Sequence, residues 1–262
     1  MFPLAGLRSY AAISPLDKGQ WDRAQEMVTW TLTFPNELAP FARALGALIA
    51  IRRGEPGARP VLEGSWAEMA TLPECSRHGF MRSALAEAAW LAADPGLARA
   101  QVSSARESLH AARFIRPYSD LALWAWRLGL ELEPPERAPV PVLLELGGDW
   151  RSAIEAWRAL DAPYDAALAA LPGDDRAARE ALGVLHRLGA AGAARAFARE
   201  RAAIGARVPR GPRRSTLANP AGLTRREQEV LERLACGDTN PQIAATLCLS
   251  QRTVAHHVSA IF

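Results

Sequence analysis

The 262-residue chain has a single lysine, Lys18, among its many arginines, and only three cysteines, Cys75, Cys236 and Cys248, with no C-x-x-C pair. So few, so scattered and odd in number, the cysteines exclude a disulfide framework and a zinc clip, and all three read as small apolar residues. No apolar run approaches the ~18–20 residues of a membrane span, and the region after Met1 lacks the charged, apolar and small-residue order of a signal peptide. The expectation is a cytoplasmic protein with no membrane partner. A formal charge of +3 is too small to make the whole molecule a polycation, so any nucleic-acid affinity must be local. The patterns G-x-x-x-x-G-K-[ST], G-x-G-x-x-G and H-E-x-x-H are missing, and Lys18 in "LDKGQ" follows no glycine-rich loop. No catalytic constellation, cofactor site or metal site is expected, and the chain reads as a non-enzyme.

What is present is helical. Apolar residues make up 49% of the chain, enough for a sizeable core. From about Leu7 to Ala206, segments such as "APFARALGALIAIRRG" and "DLALWAWRLGLEL" space them at three- and four-residue steps, and little alternates as a strand would. Two segments share a signature, "GQWDRAQEM" at Gly19–Met27 and "GDWRSAIEAW" at Gly148–Trp157. In each a glycine ends a turn, a Trp follows two residues later, and an Ala lies three residues beyond it, as in helix-pair repeats of about 34 residues. Trp90 and Trp124 are also 34 apart. The fold class is therefore all-α, with a tetratricopeptide-like helical repeat region over residues 1–206; an irregular helical bundle is the alternative. Asp174–Asp175 and Glu133 with Glu136 sit in turn-like contexts and read as caps and solvation. His78, His110 and His186 are isolated and read as surface or satisfied core residues.

Residues 207–222 break the helical pattern. Pro209, Pro212 and Pro220 with Gly211 make a linker, and Arg207, Arg210, Arg213 and Arg214 make it basic. These arginines suit either a solvated tether or DNA phosphates.

From Leu223 the helix-end signals agree with one another. Thr224 and Glu227 have capping-box spacing, Val230, Leu231 and Leu234 share a face, and Gly237 suits a left-handed exit. Thr239 and Gln242 repeat the box with Pro241 in the first turn, and Ile243, Ala244 and Leu247 form the inner face. Ser250 starts a third helix after a short step, the form of a helix-turn-helix. There Val254, Val258 and Ile261 point inward, while Arg252, Ala255, His256 and Ser259 form the opposite stripe, narrow enough for a major groove about 12 Å wide. A metal role for His256 and His257 is poor, because neighbours on a helix point about 100° apart and no third ligand has useful spacing. His256 faces out, and His257 flanks the core or meets a phosphate.

"GLTRREQEVLERLACGDTNPQIAATLCLSQRTVAHHVSAI" resembles the LuxR-type helix-turn-helix of bacterial transcription regulators from Gly222 to Ile261 without a gap. The L-T-x-R-E start, G-x-x-N turn, I-A-x-x-L helix, S-x-x-T-V cap and H-H-V run occur in order. The helical remainder, with "WRALDAPYDAALAAL", is similar to the region before this domain in the large ATP-binding LuxR regulators. The resemblance implies that Ala255, His256 and Ser259 face base edges, with Arg252, Thr253 and Asn240 near phosphates. Ala255 stands where the family commonly has a longer polar residue, which leaves discrimination there either weak or limited to a thymine methyl contact. The resemblance further implies a fourth helix beyond Phe262, so that residues 223–262 would be a truncated domain with weak or non-specific binding. It also implies ATP binding only in a domain preceding Met1, with no cofactor in this chain.

The expected function is a transcription regulator that reads double-stranded DNA with helix 251–262 and is controlled through its helical region by a protein or small-molecule inducer, with a homodimer as a further expectation. The alternatives are a protein- or ligand-binding helical scaffold and an incomplete fragment of an ATP-dependent regulator.

Overall fold

Helix after helix forms because alanine-, leucine- and arginine-rich stretches are separated by short turns that their glycines and prolines dictate. The structure, a computed structural model, describes residues 10–34, 37–72, 76–108, 115–208 and 223–261, and all its regular elements among these are α-helices. His110 and Cys75 lie outside the described residues. The chain divides into two units, Met1–Pro209 and Arg210–Phe262.

The first unit contains α1 (Ile13–Asp17), α2 (Trp21–Leu32), α3 (Ala39–Arg53), α4 (Ala58–Met69), α5 (Ser76–Leu91) and α6 (Pro95–Ser108). It continues with α7 (Ile115–Arg127), α8 (Val140–Leu146), α9 (Trp150–Ala159), α10 (Pro163–Ala169), α11 (Asp175–Arg187) and α12 (Ala191–Ala203). Consecutive helices pack on one another, and α3, α5 and α7 also stack at every second step. That arrangement fits a helical repeat. Trp90 of α5 and Trp124 of α7 meet across the stack with ring centroids 5.5 Å apart. The Gly–x–Trp–x–x–Ala signature has the same backbone at both occurrences: Gly19 and Gly148 have φ of 71° and 79°, Trp21 and Trp150 open α2 and α9, and Ala24 and Ala153 are buried.

The stack is not strictly open, because α12 returns to pack on α3 and α5. Two glycines permit the approach: a Cβ on Gly192 would lie 2.5 Å from the Ile51 carbonyl oxygen and 3.0 Å from the Gly54 nitrogen. Arg199 of α12 donates to the carbonyls of Trp90 (2.5 Å) and Leu91 (3.2 Å), satisfying acceptors that the end of α5 leaves open.

The core of this unit includes buried charge. Arg52 forms two bonds to Glu87 (2.7 and 2.9 Å), the Tyr164 hydroxyl donates to Glu87 (2.7 Å), and the Arg52 guanidinium lies 4.1 Å from the Tyr164 ring centroid. Glu145 likewise accepts from Arg127 (3.0 Å) and from the Trp157 indole (2.6 Å). Each carboxylate has two donor groups, which offset part of the desolvation cost of burying its charge. Asp174 caps α11, accepting from the Arg176 and Ala177 amides at 3.1 and 2.9 Å. Asp175 pairs with Arg201 at 3.4 Å.

The second unit holds α13 (Arg225–Ala235), α14 (Asn240–Thr246) and α15 (Gln251–Ile261). Val230, Ile243, Ala244 and Val254 are buried, with Leu234, Leu247, Leu249, Val258 and Ile261 packed against them. Leu249 takes the place expected of Leu231, which is half-buried outside this cluster. The cysteines read as small apolar residues, and the two that are described, Cys236 and Cys248, are exposed and not part of the core. Both occupy helix ends, Cys236 the C-cap of α13 and Cys248 the turn after α14 at φ 51°.

Candidate nucleic-acid interface

Three helix starts set the geometry of the second unit. Thr224 accepts from the Glu227 amide at 3.2 Å while its own amide donates to the Glu227 carboxylate at 2.8 Å, so two orphan donors at the start of α13 are satisfied. At α14 the Gln242 side-chain oxygen accepts from both the amide and the hydroxyl of Thr239 at 2.8 Å. At α15 the Ser250 hydroxyl accepts from the Thr253 amide at 3.1 Å. Each cap fixes where its helix begins and therefore which residues its faces carry.

The turn between α14 and α15 is held from the first helix of the unit. Arg226 of α13 donates to the Leu247 carbonyl and pairs with Glu229, whose carboxyl is held below its ordinary range chiefly by that hydrogen bond. Arg226 is a positioning residue for α15 that the sequence reading missed. It is the arginine of the L-T-x-R-E start, but the spacing gives no sign of its bond to Leu247, 21 residues on.

On α15, Val254 is fully buried, and Val258 and Ile261 pack beside it. Arg252, Ala255, His256 and Ser259 are all exposed, and the helical period brings them onto one stripe opposite that anchor. Thr253 is half-buried, its hydroxyl 2.8 Å from that of Ser250, which leaves it less free than the four exposed residues. Asn240 is half-buried at the first position of α14. His257 is half-buried beside His256, ring centroids 6.3 Å apart and tilted by 50°. Among the described residues no group of three His, Cys, Asp or Glu side chains can hold a metal ion.

Of the linker arginines, Arg207 is described. Its carbonyl accepts from the buried Arg201, and its exposed guanidinium lies 4.0 Å from Asp175. Arg210, Arg213 and Arg214 lie outside the described residues. No helix among the described residues is long and apolar enough to cross a membrane.

This geometry can place one helix edge against a nucleic-acid groove: a rigid helix, an anchored back, and a front of small or flat side chains with one guanidinium at its start. Comparison with known proteins bears on the same residues. Residues 221–262 match the family model described as GerE, bacterial regulatory proteins, luxR family. No curated protein and no solved structure matches the chain. The three capped helices between Arg225 and Ile261 lie within this luxR-family helix-turn-helix match, which supports a DNA-binding transcription regulator in general.

Proposed function

We propose that α15 enters the major groove with Ala255, His256 and Ser259 toward base edges, while Arg252, Thr253 and Asn240 sit near phosphates. The observation that carries this reading is the exposed Arg252–Ala255–His256–Ser259 stripe on a helix whose opposite face is pinned by Val254. His256 supplies a ring that can donate or accept a hydrogen bond, and Ser259 a hydroxyl that suits any base edge. Ala255 offers only a methyl, matched to a thymine methyl. The arginines at 207, 210, 213 and 214 add phosphate contacts, each raising the salt slope of binding by roughly 0.9. The helical unit receives the signal that controls binding, a role favoured by the ligand-sized cavity in its interior.

Titration of labelled promoter fragments at several salt concentrations tests the reading. Arg252→Ala should weaken binding to all sequences and lower the salt slope by about one, whereas His256→Ala should change which sequence is preferred. Ser259→Glu places a negative charge against the groove and should abolish binding. Unchanged affinity in all three variants would refute the assignment of α15 as the reading helix.

A further inference from the structure

A cavity of ≈ 430 Å³ opens on the surface beside Trp150 and Arg151, but the larger one, ≈ 630 Å³, lies inside the first unit between α1, α3, α5, α7, α9 and α10. Its apolar wall is aromatic, with Phe41, Phe80, Trp124 and Trp157. Its polar lining is charged, and most of those charges already have partners. Arg52 is taken by Glu87, Arg127 by Glu145, Lys18 by Asp161 (3.6 Å) and Arg116 by Asp17 (2.6 Å). Removing those pairs leaves a remainder of three groups. Asp165 has no hydrogen bond or ion pair among the described residues, and Asp120 has only the Arg116 guanidinium at 3.9 Å. Arg77 donates to the Tyr10 hydroxyl at 2.9 Å, but its Nε is buried with no acceptor.

Two half-buried carboxylates from different helices, Asp165 without a partner among the described residues and Asp120 with one long ion pair, therefore face a ligand-sized space together with the buried, unsatisfied Nε of Arg77. Buried polar groups in a folded protein are otherwise paired. The arrangement is also the usual form of a small-molecule site: a mostly apolar, concave wall with a few convergent polar groups. We propose that this cavity binds an organic amine, with its ammonium between Asp120 and Asp165, its apolar body against the aromatic wall, and a hydrogen-bond acceptor toward Arg77. Aromatic faces add to the attraction for a cation. The assignment deepens the proposed control through the helical unit, and its binding step does not depend on DNA.

Protonation of the two carboxylates follows from the same geometry. Burial pushes Asp165 up to about 7, helped by the charges of Asp17 and Asp120 and opposed by Arg52 and Arg127. Burial likewise pushes Asp120 up to about 6, helped by Asp17 and opposed by Arg116, Arg127 and Arg52. An arriving ammonium must displace a proton from Asp165 below neutrality, so affinity for an amine should fall about tenfold from pH 8 to pH 6.

Calorimetric titration of the full chain with tyramine tests the chemistry, with its neutral analogue tyrosol and its anionic analogue 3-(4-hydroxyphenyl)propanoate as controls. The expected result is one site for tyramine, binding at least about tenfold weaker for tyrosol, none for the propanoate, and the stated loss at pH 6. Asp165→Asn and Asp120→Asn should each weaken tyramine at least about tenfold while melting at or above the temperature of the parent chain. Binding of the propanoate or tyrosol as tight as that of tyramine overturns the proposal, as does no heat from tyramine up to millimolar concentration or an unchanged affinity in both variants. Repeating the DNA titration with tyramine bound separates the two readings: unchanged DNA affinity leaves the amine site standing and refutes its control of DNA binding.

Discussion

The two units solve the same problem, holding helices together, with different resources. In the first, large side chains are fully buried, among them Trp21, Phe41, Tyr164 and Phe197, and the starts of α1 to α4, α8, α10 and α12 have no side-chain cap. In the second, the buried core among the described residues is Val230, Ile243, Ala244 and Val254, with no aromatic among them, and the starts of α13, α14 and α15 are all tied by side chains. Buried volume can fix a helix whose first turn is left to solvent, whereas a small core needs its helix ends defined locally. The contrast also suits their tasks. A cavity with charged walls needs a thick, stiff surround, while a helix presented to a groove needs an exact start and one anchored face.

Five substitutions test this contrast. The largest effect should come from Glu87→Ala, which leaves Arg52 buried without its carboxylate and Tyr164 without an acceptor, at a cost of about 3–5 kcal/mol. A calorimetric scan should show the first unit melting earlier, with the transition of the second unit unmoved. Ile243→Ala should cost about 2–4 kcal/mol, comparable to what a core this small supplies, and so unfold the second unit alone. Leu48→Ala, equally buried in the first unit, should cost as much and leave that unit folded. Amide spectra showing α13–α15 intact in Ile243→Ala would break the contrast.

A smaller effect concerns pH, where the units should differ in sign. Asp165 has its folded value raised to about 7, so the folded chain keeps a proton that the unfolded chain releases above about pH 4. The associated stability is full below that pH and is lost as pH rises through 7. Asp165→Asn should therefore change little at pH 4 and stabilise the first unit by about 1–2 kcal/mol at pH 8, read from melting curves at both pH values. Glu229 in the second unit is shifted downward by Arg226, so its contribution is present above the ordinary glutamate value and is lost as pH falls. The smallest effect is that of Thr224→Ala, about 1 kcal/mol from the lost cap, with DNA affinity per folded molecule unchanged.

What could be read in the sequence was what neighbouring residues decide. Thr224 with Glu227, and Ser250 with Thr253, are three residues apart, so cap chemistry alone locates α13 and α15. The exposure of Arg252, Ala255, His256 and Ser259 follows from helical period once Val254 is inside. Glu87 and Tyr164 are 77 residues apart, and no local pattern marks them as partners. Nothing in the local sequence sets Asp120 and Asp165 apart, and it is the fold that brings both to one cavity. Residue type alone does not place Cys236 and Cys248 either: both lie at helix ends, exposed, where turns put them.

The close approach of Gly192 to Gly54 gives the first unit a kinetic character of its own. An open stack of repeats can begin folding anywhere and lose its end units one at a time. Here the seam joins residues far apart in the chain, so it can form only after the intervening helices have been gathered, and its loop-closure entropy must be met before its contacts repay it. Folding should therefore show a late step absent from open stacks, and unfolding should begin at the seam between α12 and α3. A methyl group at Gly192 would act as a wedge in that seam.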